Sequence, residues 1–291
     1  VRVRSFPMGV DAADFARLGD EPAVRARATE IRGADGCRLL LGIDRLDYTK
    51  GIPRRLLAYE ELLRTRPELR EKVRLLQIAV PSRGGVKAYK EFRQQIDALV
   101  GRINGTYSTA TWAPVHYLHR GQDRAEVAAL YRAADVLLVT PIRDGMNLVA
   151  KEFVATRTDE DGVLVLSEFA GAAAELDGAI EVNPYDVQAT AQAYGRALDL
   201  ERGERRRRMT SLRRRVVSAD VHGWVRSFLA ALDETDPDEP SASFSTPLAV
   251  RAAIGELAAA PELVVLLDYD GTLRTTRFLA GVSHHRFCRE N

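Results

Sequence analysis

Two fixed cations five positions apart, Arg45 and Lys50, stand in the string GIDRLDYTKGIPRR, which runs from Gly42 to Arg55 directly after an apolar run. Gly51 and Pro53 in the same string set up a helix start. A guanidinium, an ammonium and the unpaired backbone N–H groups of a helix origin therefore face one point, chemistry that suits a diphosphate. Asp44 and Asp47 read either as carboxylates that hold Arg45 in place or as turn residues.

A second string, TPIRDGMNLVAKEF from Thr140 to Phe153, also follows an apolar run. Asp144 precedes Gly145, which permits close backbone approach, and Asn147 is a suitable cap for the helix that follows. The N–H groups of Met146, Asn147 and Leu148 are placed to receive phosphate or sugar oxygens. Glu152, on the helix, carries two oxygens matched to the two hydroxyls of a ribose. Lys151 either adds a cation or pairs with a neighbouring carboxylate. A third string, VPSRGG from Val80 to Gly85, sets Arg83 between a serine and two glycines, which suits a guanidinium aimed at a phosphate. His116 and His119 read as structural, because no carboxylate or cysteine stands at ligand spacing, and no metal site is expected among these strings. Tyr107 and Trp112 read as packing residues near the cleft.

The elements that must position these residues alternate. Apolar runs at 37–43, 73–80, 115–119, 136–140, 163–167 and 179–182 predict strands, separated by helical stretches at 53–65, 86–103, 124–133 and 148–156. Short β-branched runs joined by helices imply a parallel sheet covered on both faces, a doubly wound α/β domain. Its ligands belong at the carboxyl ends of the strands. Residues 186–232 read as helical throughout, with Met209, Leu212 and Val216 forming one apolar stripe beside a run of arginines. A basic run without interleaved aromatics on a nearly neutral protein reads as a solvated helix face, not a nucleic-acid surface. Residues 233–247, DETDPDEPSASFSTP, read as an exposed linker, so the domain is expected to occupy 1–232.

Bulk properties exclude several classes. Hydrophobic residues at 46% and a formal net charge of +1 fit a folded protein with no global field drawing it to nucleic acid or a membrane surface. No segment reaches the roughly 18 to 20 consecutive apolar residues that span a bilayer. Two cysteines, Cys37 and Cys288, make neither a metal site nor a disulfide framework, so a reducing, cytoplasmic setting is expected. The start, VRVRSFPMGVD, has no initiator methionine and no signal-peptide core, and is expected to lie inside a longer protein.

The strings RLDYTKGIP, PSR and RDGMNLVAKEF, in this order and at these intervals, together with PMGVD, LVLSEFAGAAAEL and VNPYD, resemble the trehalose-6-phosphate synthase family. Those are retaining glycosyltransferases built from two Rossmann domains, the GT-B type. The likeness covers about residues 6–232 and implies transfer of glucose from UDP-glucose to glucose-6-phosphate, giving trehalose-6-phosphate and UDP, with no cofactor required. By the resemblance, Arg45 and Lys50 bind the donor diphosphate and Arg83 meets the acceptor's phosphate. Asp144 and Glu152 hold the glucose and the ribose, assisted by backbone amides from Met146 through Asn147 and Leu148 to Val149. It also implies front-face attack, with the leaving phosphate taking the acceptor proton. The family's first domain would precede Val1. That leaves transfer by this chain alone in doubt, with an inactive donor-binding or regulatory fragment as the alternative, and a homo-oligomer or pairing with a complete synthase as open modes of association. UDP, GDP and ADP donors share these phosphate contacts, so the base is not decided.

A last string, LVVLLDYDGTL from Leu263 to Leu273, resembles haloacid-dehalogenase-type phosphatases, as in a trehalose-6-phosphate phosphatase domain. The resemblance makes Asp268 the nucleophile and Asp270 the general acid/base, with Mg²⁺ between carboxylate and phosphate in a complete domain. The tail RTTRFLAGVSHHRFCREN departs from that family's continuation, so residues 248–291 read as a truncated, vestigial start.

Overall fold

The structure is a computed structural model that describes residues 5–82 and 87–233. Asp268 and Asp270, the linker beyond residue 233 and Arg83 lie outside the described residues.

Two helices that the apolar pattern does not announce come first: α1 (Ala12–Asp20), capped by Asp11 Oδ1 accepting from Asp14 N at 2.9 Å, and α2 (Pro22–Arg32), which starts on a proline. The stripe of α2, Val24 and Ala28, is too sparse to stand out among charged neighbours, and α1 buries Phe15 within only nine residues. The strands are β1 (Arg38–Arg45), β2 (Val73–Val80), β3 (Val115–Leu118), β4 (Val136–Val139), β5 (Val163–Ser167) and β6 (Ile180–Val182). Between and after them run α3 (Ile52–Thr65), α4 (Lys87–Tyr107), α5 (Arg124–Ala133), α6 (Leu148–Thr156), α7 (Val187–Asp199), α8 (Arg202–Ser218) and α9 (Val221–Asp233).

All neighbouring strands pair in parallel, in the order β3-β2-β1-β4-β5-β6. Because successive side chains leave a strand on opposite faces, β1 feeds two cores. Leu39, Leu41 and Ile43 join the apolar cluster that also holds residues of α1, α2, α5, α6 and α8. Leu40 joins the other, with residues of α3, α4 and α7. Truncating a side chain as enclosed as Leu40 or Leu41 to alanine would cost about 2–5 kcal/mol. The doubly wound α/β expectation therefore holds, and the chain reverses winding between β1 and β4.

The helical run from residue 186 is three helices, not one. Leu200 and Glu201 take extended backbone between α7 and α8, and Asp220 starts α9 by accepting from Gly223 N at 2.7 Å. Short polar and acidic residues offer the backbone such local bonds in place of helix continuation. The stripe of Met209, Leu212 and Val216 is buried as its spacing implies, while Arg207 stays exposed and pairs with Glu204.

Trp112 and Tyr107 pack at the other end of the sheet from the one their expected cleft position requires. Trp112 Nε1 donates to the Val73 carbonyl at 3.0 Å, at the amino end of β2, and the Arg70 guanidinium lies over the Tyr107 ring just before that strand. The loop from α4 to β3 necessarily enters at the strand's start, so its aromatics close the floor of the sheet.

Candidate active site

The reversal between β1 and β4 opens a crevice at the strand tips, where an open α/β sheet places its ligands. After β1 the chain makes a short 3-10 turn, Tyr48–Lys50, capped by Asp47, whose Oδ1 accepts from Thr49 N at 2.9 Å and Thr49 Oγ1 at 2.8 Å. Gly51 follows at φ 69°, and a Cβ there would fall 2.2 Å from the Thr140 carbonyl, so glycine serves both the left-handed turn and the close passage beside β4. Ile142 N donates to the Thr49 carbonyl at 2.8 Å, fastening the loop after β4 to the loop after β1.

The segment following β4 is also tied from its other side. Asp144 N donates to the Phe169 carbonyl at 3.1 Å, Gly171 N to the Asp144 carbonyl at 2.9 Å, and Ala172 N to the Met146 carbonyl at 2.7 Å. The close approach expected at Gly145 is made with Gly171, where a Cβ would meet the Gly145 carbonyl at 1.9 Å. Asn147, at φ 80°, caps α6 by accepting from Ala150 N at 3.1 Å. It also donates to Asp144 Oδ2 at 3.0 Å. The amides of Leu148 and Val149 belong to the first turn of α6, where no preceding turn supplies a carbonyl.

These loops enclose a cleft of about 420 Å³ whose wall includes Arg45, Lys50, Asp144, Met146, Asn147 and Glu152, with Leu148, Val149 and Met8 beside them. Lys50 Nζ donates to Asp144 Oδ2 at 2.8 Å, and both side chains are nearly enclosed. Glu152 accepts from Tyr131 OH at 2.8 Å. Burial pushes the Glu152 carboxyl above its ordinary value, opposed by that hydrogen bond and by the Arg124 charge. Burial likewise raises the Tyr131 hydroxyl, with the Glu152 charge adding to it. Lys151 pairs with Glu175 Oε1 at 2.8 Å and donates to the Met8 carbonyl at 2.8 Å, so of its two readings the carboxylate partner is the one realised.

Three participants escaped the sequence reading. Arg55, wholly buried at the start of α3, pairs with Asp44 and donates to Gln77 Oε1 at 2.9 Å and Thr140 Oγ1 at 3.0 Å. Asp44 pairs with Arg55, and Asp47 caps its own turn. The available signal was Gln77, a polar residue inside the apolar strand VRLLQIAV, which demanded a buried partner. Tyr131 and Met8 gave no such signal, since one looks like helix core and the other like a lone apolar residue. His119 Nδ1 lies 3.2 Å from the Ala79 carbonyl, and burial lowers His116 from its ordinary value. Among the described residues no group of three or more His, Cys, Asp or Glu is arranged to hold a metal ion, and no helix is long and apolar enough to cross a membrane.

Six parallel strands wound this way, with cations, carboxylates and a helix origin gathered where the winding reverses, define a doubly wound α/β domain with a polar ligand crevice at its switch point. The sequence model of glycosyltransferase family 20 matches residues 1–234. The chain belongs to that family. It is 50% identical over 239 residues to the trehalose-6-phosphate synthase of Mycobacterium avium (strain 104), covering 81% of this chain and 49% of that protein. It is 42% identical over 278 residues to the bifunctional trehalose-6-phosphate synthase/phosphatase of Thermoproteus tenax, covering 94% of this chain and 38% of that one. Among solved structures, the UDP-forming α,α-trehalose-phosphate synthase of Burkholderia xenovorans in complex with glucose-6-phosphate superposes with a TM-score of 0.76 at 42% identity, covering 79% of this chain and 51% of that one. An E. coli structure bound with UDP-2-fluoro glucose gives a TM-score of 0.76 at 41% identity, covering 80% and 52%. The chain spans about half the length of the synthases it matches.

Proposed function

We propose that this chain supplies the donor side of glucosyl transfer from UDP-glucose to glucose-6-phosphate, giving trehalose-6-phosphate and UDP with retention at the anomeric carbon. The observation that carries the reading is the joint cleft: Arg45, Lys50, Asp144 and Glu152, drawn from two strand tips and a helix, line one cavity at the winding reversal. The relatives' synthase activity and the glucose-6-phosphate and UDP-sugar analogue held by neighbouring structures support it.

In this reading the diphosphate lies between Arg45, Lys50 and the amides that open α6, and the sugar hydroxyls reach Asp144. The ribose meets Glu152. As the bond between the anomeric carbon and the UDP oxygen lengthens, negative charge grows on the leaving phosphate. Fixed cations and helix-origin amides stabilise that charge without reorganising, which supplies the main catalytic term with no metal ion invoked. The acceptor adds to the same face of the sugar, and its proton passes to the departing phosphate oxygen. Arg83 is assigned the acceptor's phosphate.

Titration calorimetry with UDP-glucose, GDP-glucose and UDP tests the donor site. Radiolabelled transfer is then measured for the chain alone and with the amino-terminal half of a homologous synthase added. Binding of UDP-glucose, with transfer appearing on addition, is the expected result, and added EDTA should leave it unchanged. No binding of any of the three overturns the reading.

A further inference from the structure

The cleft's central cation is not waiting for a ligand. Lys50 Nζ already donates to Asp144 Oδ2 at 2.8 Å, and the carboxylate is almost wholly enclosed. We propose that this ion pair makes the site discriminate between a glycosylated nucleotide and the bare nucleoside diphosphate. The inference rests on the donor-site reading and adds to it a reason for selectivity that the polar lining alone does not contain.

A phosphate oxygen that takes the Lys50 ammonium competes with the carboxylate that holds it. With bare UDP the exchange is one-sided: the phosphate gains a charge-assisted bond and Asp144 gives one up. The carboxylate keeps its bond from Asn147 Nδ2 at 3.0 Å and a long approach from Met146 N at 3.5 Å, so it stays in place. A sugar-bearing donor supplies hydroxyl protons where the ammonium withdraws. Both ends of the broken pair are then satisfied by one ligand. Diphosphate and sugar are recognised cooperatively, and the product UDP, having lost its sugar, meets renewed competition from Asp144 for Lys50.

The backbone cannot carry Asp144 out of the competition. Its backbone is pinned through Phe169 and Gly171, and the turn bearing Lys50 is bonded to the same segment through Thr49 and Ile142.

The test is a set of titrations with UDP and UDP-glucose on the full chain: wild type, Asp144→Asn, Lys50→Gln and the double variant, each first shown by thermal melting to be folded. Asparagine keeps the shape of aspartate and cannot hold the ammonium by charge. Asp144→Asn is expected to tighten UDP about tenfold, the worth of one charge-assisted bond, while weakening UDP-glucose. In the Lys50→Gln background the same change is expected to leave UDP affinity unaltered. UDP affinity that Asp144→Asn does not change overturns the inference. So does an equal tightening with and without Lys50, which would reduce the carboxylate to a general repulsive field. A wild-type chain that binds neither nucleotide overturns instead the donor-site reading beneath it.

Discussion

Arg55 Nε donates to Thr140 Oγ1 at 3.0 Å, joining the first turn of α3 to the residue that follows β4. The same guanidinium pairs with Asp44 at the end of β1, donates to Gln77 in β2 and reaches the Lys50 carbonyl at 3.5 Å. Gly42 makes the space, since a Cβ there would fall 2.4 Å from Gln77 Oε1 and 2.5 Å from Arg55 Nη1. One buried side chain therefore sets three strands and the turn carrying Lys50 against each other. Breaking such a pair from one side strands a charge in the interior. Arg55→Met should lower unfolding free energy by about 3–5 kcal/mol in denaturant titration, and Arg55→Met with Asp44→Asn should recover part of it. Equal stability of single variant and wild type would show that the pair contributes nothing.

Glu152 is held by Tyr131 and carries a penalty for burial. The sign follows from the raised carboxyl: between the ordinary value of 4.5 and the folded value, the folded state binds more protons than the unfolded one, so stability falls as pH rises through that window. Glu152→Gln removes the ionisation and should melt higher than wild type. The gain should be near zero below the ordinary glutamate range and grow toward neutral pH, while UDP affinity falls. Melting curves from acid to neutral pH check this, and a gain independent of pH would contradict it.

Tyr131→Phe deletes only the hydroxyl that donates to Glu152. Hydrogen bonds to charged groups are worth about 1.5–3 kcal/mol, so UDP affinity should weaken by roughly tenfold or more by calorimetry, and by much less for a UDP analogue lacking the ribose hydroxyls. Equal losses for both ligands would mean that Tyr131 does not act through Glu152.

Gly51→Ala introduces a Cβ at φ 69° that would collide with the Thr140 carbonyl. The left-handed backbone alone costs about 1–3 kcal/mol, and the collision adds to it. The loops after β1 and β4 should part, so nucleotide binding should be lost at temperatures where far-ultraviolet dichroism still reports the fold. A variant binding UDP as wild type does would show that the two loops are not interdependent.

The arginines of α8 should do little. Arg207 is exposed and pairs within its own helix turn, and exposed pairs of this kind contribute about 0.3–0.5 kcal/mol. Arg206→Ser with Arg207→Ser should change stability by less than about 1 kcal/mol, and the wild-type chain should not retard RNA or duplex DNA in a mobility assay at about 0.15 M salt. Retardation by the wild type that the double variant abolishes would refute the solvated-face reading.

Strands were legible because each is a short, largely apolar run bounded by turn residues. β2, α5, α6 and β5 fall on their expected limits. α1 and α2 were not: α2 buries only Val24 and Ala28 among arginines, and α1, which buries Phe15, is nine residues long, a shorter window than the periodic pattern needs. The cleft residues were legible as strings at strand ends, where position and charge coincide. What holds them was not: the partners of Asp44 and Glu152 are Arg55 and Tyr131, one lying in a charged helix start and the other in a mostly apolar helix stretch. Pairing across 94 residues, as between Lys50 and Asp144, depends on strand order, which no local pattern specifies.

Trp224 Nε1 donates to the Phe6 carbonyl at 2.9 Å, so α9 closes back on the first described residues, while Trp112 sits under β2 at the floor of the sheet. The sequence has two tryptophans, and they occupy these two places. Fluorescence of this chain is consequently a two-station readout: replacing either indole leaves the other as a local optical probe, one for the seam between the ends of the domain and one for its central scaffold. Whether those regions come apart together on heating can be followed without attaching any label.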